Sequence, residues 1–309
     1  MLFSILIANY NNSAYLGTAL ESLQTQTCRD WEAIVVDDAS TDDFEKIIGR
    51  WTLDKRIKIF RNQRNEGCGY TKRRCAELAS GSLLAFLDPD DALSPGALKM
   101  MAEAHALHPE CSLIHSTHYI CDEALHVVRI AGYPKSLPVG TPYLLVGDGS
   151  IHHFASFKKT CYDRTEGISP VLKKAVDQDL YYKIEEVGEI LYIDEPLYYY
   201  RIHAGSISNA GKERAATLWH YSIILEACRR RIGKVEHPAS LRKAYRARYY
   251  KIRVFRSFRQ RRYIDVIYSL MIFPFAGGWK NILSYAAKLP KEGLALVRRS
   301  LIDDYEIKV

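Results

Sequence analysis

The amino-acid sequence predicts an α/β fold, a mostly parallel sheet flanked by helices and followed by a helical C-terminal extension. Two patterns predict the sheet. Short, almost wholly apolar runs recur at Phe3 to Ala8, Trp31 to Val36, Ile57 to Phe60 and Ser82 to Leu87, and such runs suit strands buried on both faces of a parallel sheet. Between them lie stretches with apolar residues at helical spacing, joined by short loops, an alternation that implies right-handed crossovers. Charge marks the end of the repeat. The chain carries +7 in all, but residues 211–309 hold 22 Lys/Arg against 8 Asp/Glu, which leaves 21 basic and 28 acidic residues in the first 210. An acidic front and a basic tail call for two explanations.

In chain order, the strand at Phe3 to Ala8 runs into Asn9-Tyr10-Asn11-Asn12. Asn12 or Ser13 can cap a helix carrying Leu16, Ala19, Leu20 and Leu23 at helical spacing. The strand from Trp31 ends in Asp37-Asp38, and a helix follows through Phe44, Ile47, Ile48 and Trp51. Ile57 to Phe60 is a third strand, residues 70 to 80 a short helix, and Ser82 to Leu87 a fourth strand that stops in Asp88-Pro89-Asp90-Asp91. Pro89 cannot donate to a ladder and biases Asp88 toward an extended backbone, so the strand ends there.

Asp88 and Asp90 are two apart in an extended segment and point to one side. Carboxylates this close repel, and oxygen ligands suit magnesium or manganese. The bland alternative is an Asp-rich turn opening a helix, with Ser94 or Asp91 as N-cap and Pro95 at the first position. In a parallel sheet the strands finish on one edge, where ligands bind. Tyr10, Asp38 and Asp88 each lie just past a strand, so the fold is expected to bring them to one crevice.

Ser94 to Leu107 reads as a helix, Cys111 to Ile120 and His126 to Ile130 as strands, and Gly132 to Gly149 as a mobile loop. Ile151 to Phe157, Glu189 to Asp194 and Pro196 to Arg201 read as further strands. Asp179 is expected to cap the helix through Leu180, Tyr181 and Ile184. In the tail, Leu241, Tyr245, Tyr249, Ile252 and Phe255 fall at helical spacing among Lys and Arg. A basic, aromatic amphipathic stretch over 241–280 suits an anionic membrane surface, and packing against the rest of the protein with a solvated basic face is the alternative. Nothing else in the chain reads bases, so no nucleic-acid partner is expected. No apolar run reaches the roughly 18 residues of a membrane span. Seven scattered cysteines without a C-x-x-C pair argue for reduced thiols, and the start lacks a signal peptide's basic region. The expectation is a cytoplasmic protein, peripheral on the inner face of the membrane if the tail binds it.

Several blocks together resemble the family-2 glycosyltransferases of the GT-A fold. They are Ser4-Ile5-Leu6-Ile7-Ala8-Asn9-Tyr10-Asn11, Ser22-Leu23-Gln24-Thr25-Gln26, Val36-Asp37-Asp38-Ala39-Ser40-Thr41-Asp42, Asn65-Glu66-Gly67 and Phe86-Leu87-Asp88-Pro89-Asp90-Asp91. The resemblance covers residues 3 to about 208. It implies a Rossmann-like domain with a nucleotide-sugar-binding half at 1–91, an acceptor-binding half at 92–210 and an extension at 211–309. It also implies a metal-dependent, inverting hexosyltransferase that takes a UDP-sugar donor and a glycan or lipid-linked acceptor.

The resemblance implies roles residue by residue. Ala8, Tyr10, Asp38, Lys72 and Asp88 would bind the nucleotide, with Tyr10 beside the base and Asp38 accepting the uracil imide N–H. Asp90 and His203 would hold Mn2+ or Mg2+. Asp91, His152, His153 and Arg201 would face the acceptor or the phosphates. Where the family carries Ala-Arg-Asn, this chain has Thr71-Lys72-Arg73-Arg74, which keeps a cation but loses a bidentate fork. Val176-Asp177-Gln178-Asp179-Leu180 resembles the family's Glu-Asp-x-Asp-Leu block, with Val176 in place of Glu and Asp177 on the general base. An attacking hydroxyl must lose its proton, and a carboxylate within hydrogen-bond reach can take it.

The sequence leaves two rival classes open. A sugar-phosphate nucleotidyltransferase shares strand-end carboxylates and a metal, but normally has a Gly-rich loop after its first strand, and Asn9 to Ser13 contains no glycine. A non-catalytic nucleotide-binding protein tethered by the basic tail is the other.

Overall fold

The computed structural model describes residues 1–146, 149–203, 213–260, 262, 265, 266 and 269. The chain divides into two compact units, Met1–Ala216 and Thr217–Val309. The first begins β1 (Phe3–Asn9), α1 (Ser13–Gln24), β2 (Trp31–Asp37), α2 (Phe44–Ile48), β3 (Ile57–Arg61), α3 (Cys68–Leu78), β4 (Leu83–Phe86), β5 (Ala92–Leu93) and α4 (Ala97–Leu107). It continues β6 (Cys111–Cys121), β7 (Val127–Ile130), α5 (Tyr143–Val146), β8 (Ala155–Lys158), α6 (Lys159–Tyr162), α7 (Val176–Ile184) and β9 (Glu189–Arg201). Helices α8 (Glu213–Ile232) and α9 (Ala239–Arg259) follow.

The described strands form one curled, mixed sheet in the order β3-β2-β1-β4-β8-β6-β9-β5, with β7 paired to β6. From β3 to β4 all pairs are parallel, as the buried apolar runs require. Strand β8 then runs antiparallel to both β4 and β6, and β9 returns parallel to β6. The reversed strand has a consequence for function. Strands β1, β2, β4, β6 and β9 finish on the same edge, and β8 starts there.

Side-chain alternation splits the core across the sheet. Phe3, Ile5 and Ile7 of β1 and Trp31, Ala33 and Val35 of β2 pack with Leu16, Leu20 and Leu23 of α1, with Phe44 and Ile48 of α2, and with Leu98 and Met101 of α4. Helix α3 lies against β1 and β2, with the Cys75 thiol 3.6 Å from the Ile7 carbonyl. This doubly covered arrangement gives both faces of β1 and β2 an apolar environment, and every residue of β2 is buried.

Several expectations are corrected. The segment after Asp91 does not open a helix. Ala92 and Leu93 pair with Tyr199 and Tyr198 of β9, and α4 starts only at Ala97 behind Gly96. The stretch from Gly132 is not a uniformly open loop, because Tyr143 and Leu144 of α5 are buried and the Tyr143 hydroxyl bonds Gln178 of α7. His152 and His153 precede β8 instead of forming its start. Residues 189–201 form one strand, with register shifts opposite β6. Asp179 lies inside α7 and is paired with Lys183 at 2.7 Å, while Ala175, in the left-handed region, precedes the helix.

In the second unit, Tyr245, Ile252 and Val254 of α9 are buried. Arg229 of α8 donates to the Tyr249 hydroxyl at 3.2 Å, and Arg231 lies 5.7 Å from the Tyr245 ring centre. Part of the predicted basic-aromatic stripe is therefore internal to the helix pair. Lys243, Arg246 and Arg259 are exposed. Most of 261–280 lies outside the described residues. No described helix is long and apolar enough to cross a membrane.

Candidate active site

The strand directions collect the chemistry on one rim. Tyr10 follows β1, Asp38 follows β2, Asp88 and Asp90 follow β4, His152 and His153 precede the reversed β8, and Arg201 and His203 close β9. Tyr10 is exposed at the rim and Ala8 is half-buried within β1. Helices α3 and α7 contribute Lys72 and Asp177.

The two adjacent aspartates at the end of β2 have different jobs. Asp37 is fully buried and accepts from Asn9 Nδ2 at 2.9 Å and from the Ser40 backbone N–H at 3.0 Å, with Arg61 Nε at 3.3 Å. It closes the turn after the strand. Asp38 reaches the next crossover, where Oδ1 accepts from Asn62 Nδ2 at 2.6 Å and the Glu66 N–H at 2.9 Å, and Oδ2 from the Gly67 N–H at 2.8 Å. A carboxylate has about four lone-pair sites, so one remains for a ligand.

Lys72 is the centre of the site. Its Nζ lies 2.8 and 3.0 Å from the two Asp177 oxygens and 3.2 Å from Asp88 Oδ1, and 4.5 Å from the centre of the Phe86 ring. Burial works against the ammonium, yet Asp177 and then Asp88 outweigh it and hold its pKa well above the usual lysine range. Burial pushes the Asp177 carboxyl up, Lys72 pulls it back and Asp88 adds to the rise, and the balance lies above the usual range. For Asp88 burial also acts upward, but Lys72 and His153 bring it below that range. The helix that delivers Lys72 is tightly docked. A Cβ on Gly69 would sit 2.4 Å from the Ser169 carbonyl and 2.5 Å from that of Leu172, and the Gly69 N–H bonds Leu172 O at 3.0 Å.

The remaining acidic residues separate into an inner and an outer set. Asp91 is 1% exposed. Its Oδ2 accepts from the Tyr198 hydroxyl and its Oδ1 from the Arg201 N–H, each at 2.8 Å, so it braces β9. Tyr198 in turn accepts from the Asp88 N–H at 3.1 Å, which ties the turn of the acidic motif to the strand beneath it. Asp90 is turned outward, with Oδ2 at 3.0 Å from His203 Nε2. Burial and the Asp88 charge raise its pKa. Arg201 donates Nε to the Asp90 carbonyl at 2.6 Å and lies 4.7 Å from the Tyr15 ring centre, while His203 lies 4.6 Å from that ring.

The histidines form a separate bank. His153 Nε2 is 3.9 Å from Asp88 Oδ2, and its ring stacks on Tyr198 with centres 4.8 Å apart. His152 stacks on His118 at 4.9 Å, and His118 shares hydrogen bonds with the His153 carbonyl at 3.2 Å and the Tyr133 hydroxyl at 2.9 Å. Burial presses all three imidazoles down, His118 and His152 to about 3 and His153 to about 4. They are neutral near pH 7. His118 and Tyr15 carried no signal in the sequence beyond a buried strand or a helix face.

Among the described residues no three His, Cys, Asp or Glu side chains converge as a ready metal cage. The Asp90–His203 pair nevertheless fits a divalent ion as a half-site. It offers one carboxylate oxygen and one imidazole nitrogen, 3.0 Å apart. Such ions take oxygen and imidazole donors, and magnesium is commonly bound by one or two carboxylates plus substrate phosphates.

A family model for glycosyl transferase family 2 matches residues 4–165. The chain belongs to this family. Among its relatives, chondroitin synthase of Escherichia coli is 28% identical over 74% of this chain and 33% of its own length. An uncharacterized glycosyltransferase of Nostoc is 29% identical over 67% of this chain and 66% of its own. The chain thus spans a third to two thirds of these relatives. Among solved structures, S. aureus TarS in complex with UDP-GlcNAc superposes with a TM-score of 0.69 at 19% identity, covering 89% of this chain and 81% of that one. The mannosyltransferase PcManGT of Pyrobaculum calidifontis, with GDP-Man and Mn2+, gives 0.57 at 14% identity over 96% and 83%. These likenesses show the GT-A fold.

Proposed function

We propose that this chain is a glycosyltransferase that moves a hexose-type unit from a UDP-sugar to a hydroxyl of a glycan or lipid-linked acceptor, with inversion and with Mn2+ or Mg2+ assistance. The observation that carries the reading is the meeting of Asp177 and Asp88 on Lys72 at the rim where the strands end. The reading is supported by a half-buried carboxylate, its pKa raised by burial and by Asp88, beside the turn of the acidic motif. UDP is favoured by the acceptor site left on Asp38, which complements an imide N–H, and by the fold shared with TarS, which binds UDP-GlcNAc.

In the proposed reaction Asp177 accepts the proton of the acceptor hydroxyl as its oxygen bonds to the anomeric carbon. The bond from that carbon to the diphosphate oxygen breaks on the opposite face, and its electron pair leaves with UDP. Tyr10 and Ala8 border the base, Asp38 holds its imide, and Asp88 contacts the ribose. When bound by Asp90, His203 and the diphosphate, the divalent ion supplies neutralisation of the leaving charge. His152 and His153, neutral and flanked by Tyr198 and Tyr200, border the acceptor. The basic excess of residues 211–309 supports contact with an anionic membrane surface.

A donor screen with Mn2+, reading UDP release, tests the reading, with GDP-mannose as the competing donor. Asp177→Asn should keep UDP binding and lower transfer by roughly 100- to 10,000-fold, and Asp90→Ala should lose metal-dependent UDP binding. Retained transfer in the Asp177 variant removes that residue from the mechanism. Pyrophosphate release from UTP and a sugar phosphate would favour a nucleotidyltransferase.

A further inference from the structure

Lys72 and Asp177 are each committed to the other in a way that conflicts with the reaction. An ammonium has three N–H donors. Those of Lys72 meet Asp177 Oδ1, Asp177 Oδ2 and Asp88 Oδ1, at 2.8, 3.0 and 3.2 Å, so none is left for a phosphate. Among the described residues Lys72 is also the one hydrogen-bond partner of the Asp177 carboxylate. Lys72 occupies both oxygens and holds the proton affinity of this carboxylate below where burial and Asp88 alone would put it. The Lys72 side chain is 6% exposed, which limits the access of water to the contact.

We propose that Lys72 is a positioning residue that changes partners during the cycle. It clamps Asp177 in the donor-free enzyme and passes to the diphosphate when the nucleotide sugar binds, which frees Asp177 to take the acceptor proton. The inference rests on the assignment of Asp177 as base. It explains why a lysine suits this position, since a flexible stem with rotatable donors can exchange partners where a rigid guanidinium fork would stay bidentate. It also orders the reaction. The base is released only when a donor is present, so acceptor activation is not uncoupled from sugar transfer.

The neighbours of Asp177 bear this out. Lys72 and Cys68 face it from α3, Asp88 from the end of β4, and Tyr181 from its own helix. His153 faces Asp88 from the start of β8. Burial pushes the Cys68 thiol to about 11 and holds the Tyr181 hydroxyl well above its ordinary value, so neither bears charge near pH 7. Burial keeps His153 neutral there as well. Lys72 is therefore the cation that restrains Asp177, and its departure raises the proton affinity of the base.

The test is a carbon-13 NMR titration of the Asp177 carboxyl in the full chain, with and without UDP and Mg2+. In the wild type, UDP should raise the Asp177 midpoint by about 1 to 3 pH units, the range for loss of an adjacent opposite charge. In Lys72→Met the midpoint should start high, and UDP should move it far less. Equal UDP-induced changes in the two proteins overturn the exchange. Should Lys72→Met not fold, a crystal structure of the wild type with UDP and Mg2+ decides. An ammonium moved from Asp177 to a phosphate oxygen supports the exchange, and all three present contacts retained overturn it. Transfer by Asp177→Asn separates the two ideas. If that variant is active the assignment of the base fails, and if it is inactive while Lys72 stays in place only the exchange fails.

Discussion

Replacing Asp38 by Asn tests whether this carboxylate holds the nucleotide loop as well as its proposed ligand. Three donors converge on it, Asn62 Nδ2 and the Glu66 N–H on Oδ1 and the Gly67 N–H on Oδ2. An Asn side chain can keep its oxygen toward the first two, but its NH2 then meets the Gly67 N–H, donor against donor. The loss is one charge-assisted hydrogen bond, with the Gly67 N–H left unsatisfied in a half-buried setting. Such a change costs about 2 kcal/mol, or on the order of 1 M in urea midpoint for a slope near 2 kcal/mol/M. Urea unfolding by circular dichroism reads the stability, and calorimetry with UDP reads the ligand. The variant should lose both, because Gly67 begins the helix that carries Lys72. An unchanged urea midpoint with abolished UDP binding would refute the loop-anchoring argument and leave Asp38 a ligand contact alone.

Other expectations follow from single contacts. Glu32, 4% exposed, is raised by burial but held at about 2, against 4.5 ordinarily, by Lys58, Ser4 and Ser80. Its folded pKa is depressed, so its contribution is complete above about 4.5 and lost as pH falls toward 2. The gap corresponds to roughly 3 kcal/mol. Glu32→Gln should flatten the acid limb of stability in that window, and an unchanged limb would discount the cluster. Tyr198→Phe removes the Asp91 hydrogen bond and the acceptor for the Asp88 N–H. We expect a loss of about 1 to 3 kcal/mol together with weaker UDP binding, and weaker binding without any stability loss would refute the bracing role of Asp91. Gly69→Ala drives a Cβ into two backbone carbonyls and should cost about 1 to 3 kcal/mol. Unaltered thermal unfolding would show that the loop at 169–172 yields freely.

The parallel core was readable because burial on both faces leaves an unambiguous pattern. The apolar runs of β1, β2 and β4 end within one residue of the strands, which finish at Asn9, Asp37 and Phe86. The order of the second half was not. β8 is four residues long and reversed, and a short apolar run has no direction that periodicity can show. Yet that reversal puts His152 and His153 beside Asp88. The α5 segment looked like open loop because its Gly and Pro content signals turns, whereas its burial depends on Gln178 and Glu185 of a helix region some 35 to 42 residues away.

The candidate site shows the same division between what a strand end dictates and what tertiary packing decides. Residues that follow strands had to meet on one rim, and Tyr10, Asp38, Asp88 and His203 are there. Their work once there is set by neighbours from elsewhere in the chain. Asp37, Asp38, Asp88 and Asp91 are chemically identical, yet Asp37 closes a turn, Asp38 ties down the next crossover, Asp91 braces β9, and Asp88 shares a lysine with a carboxylate 89 positions further on. A motif of carboxylates specifies charge at a place. The donors that other elements aim at each oxygen determine which carboxylates are consumed by the fold and which remain for a ligand. On that measure Asp90 is the most available of the acidic motif, with His203 on one oxygen.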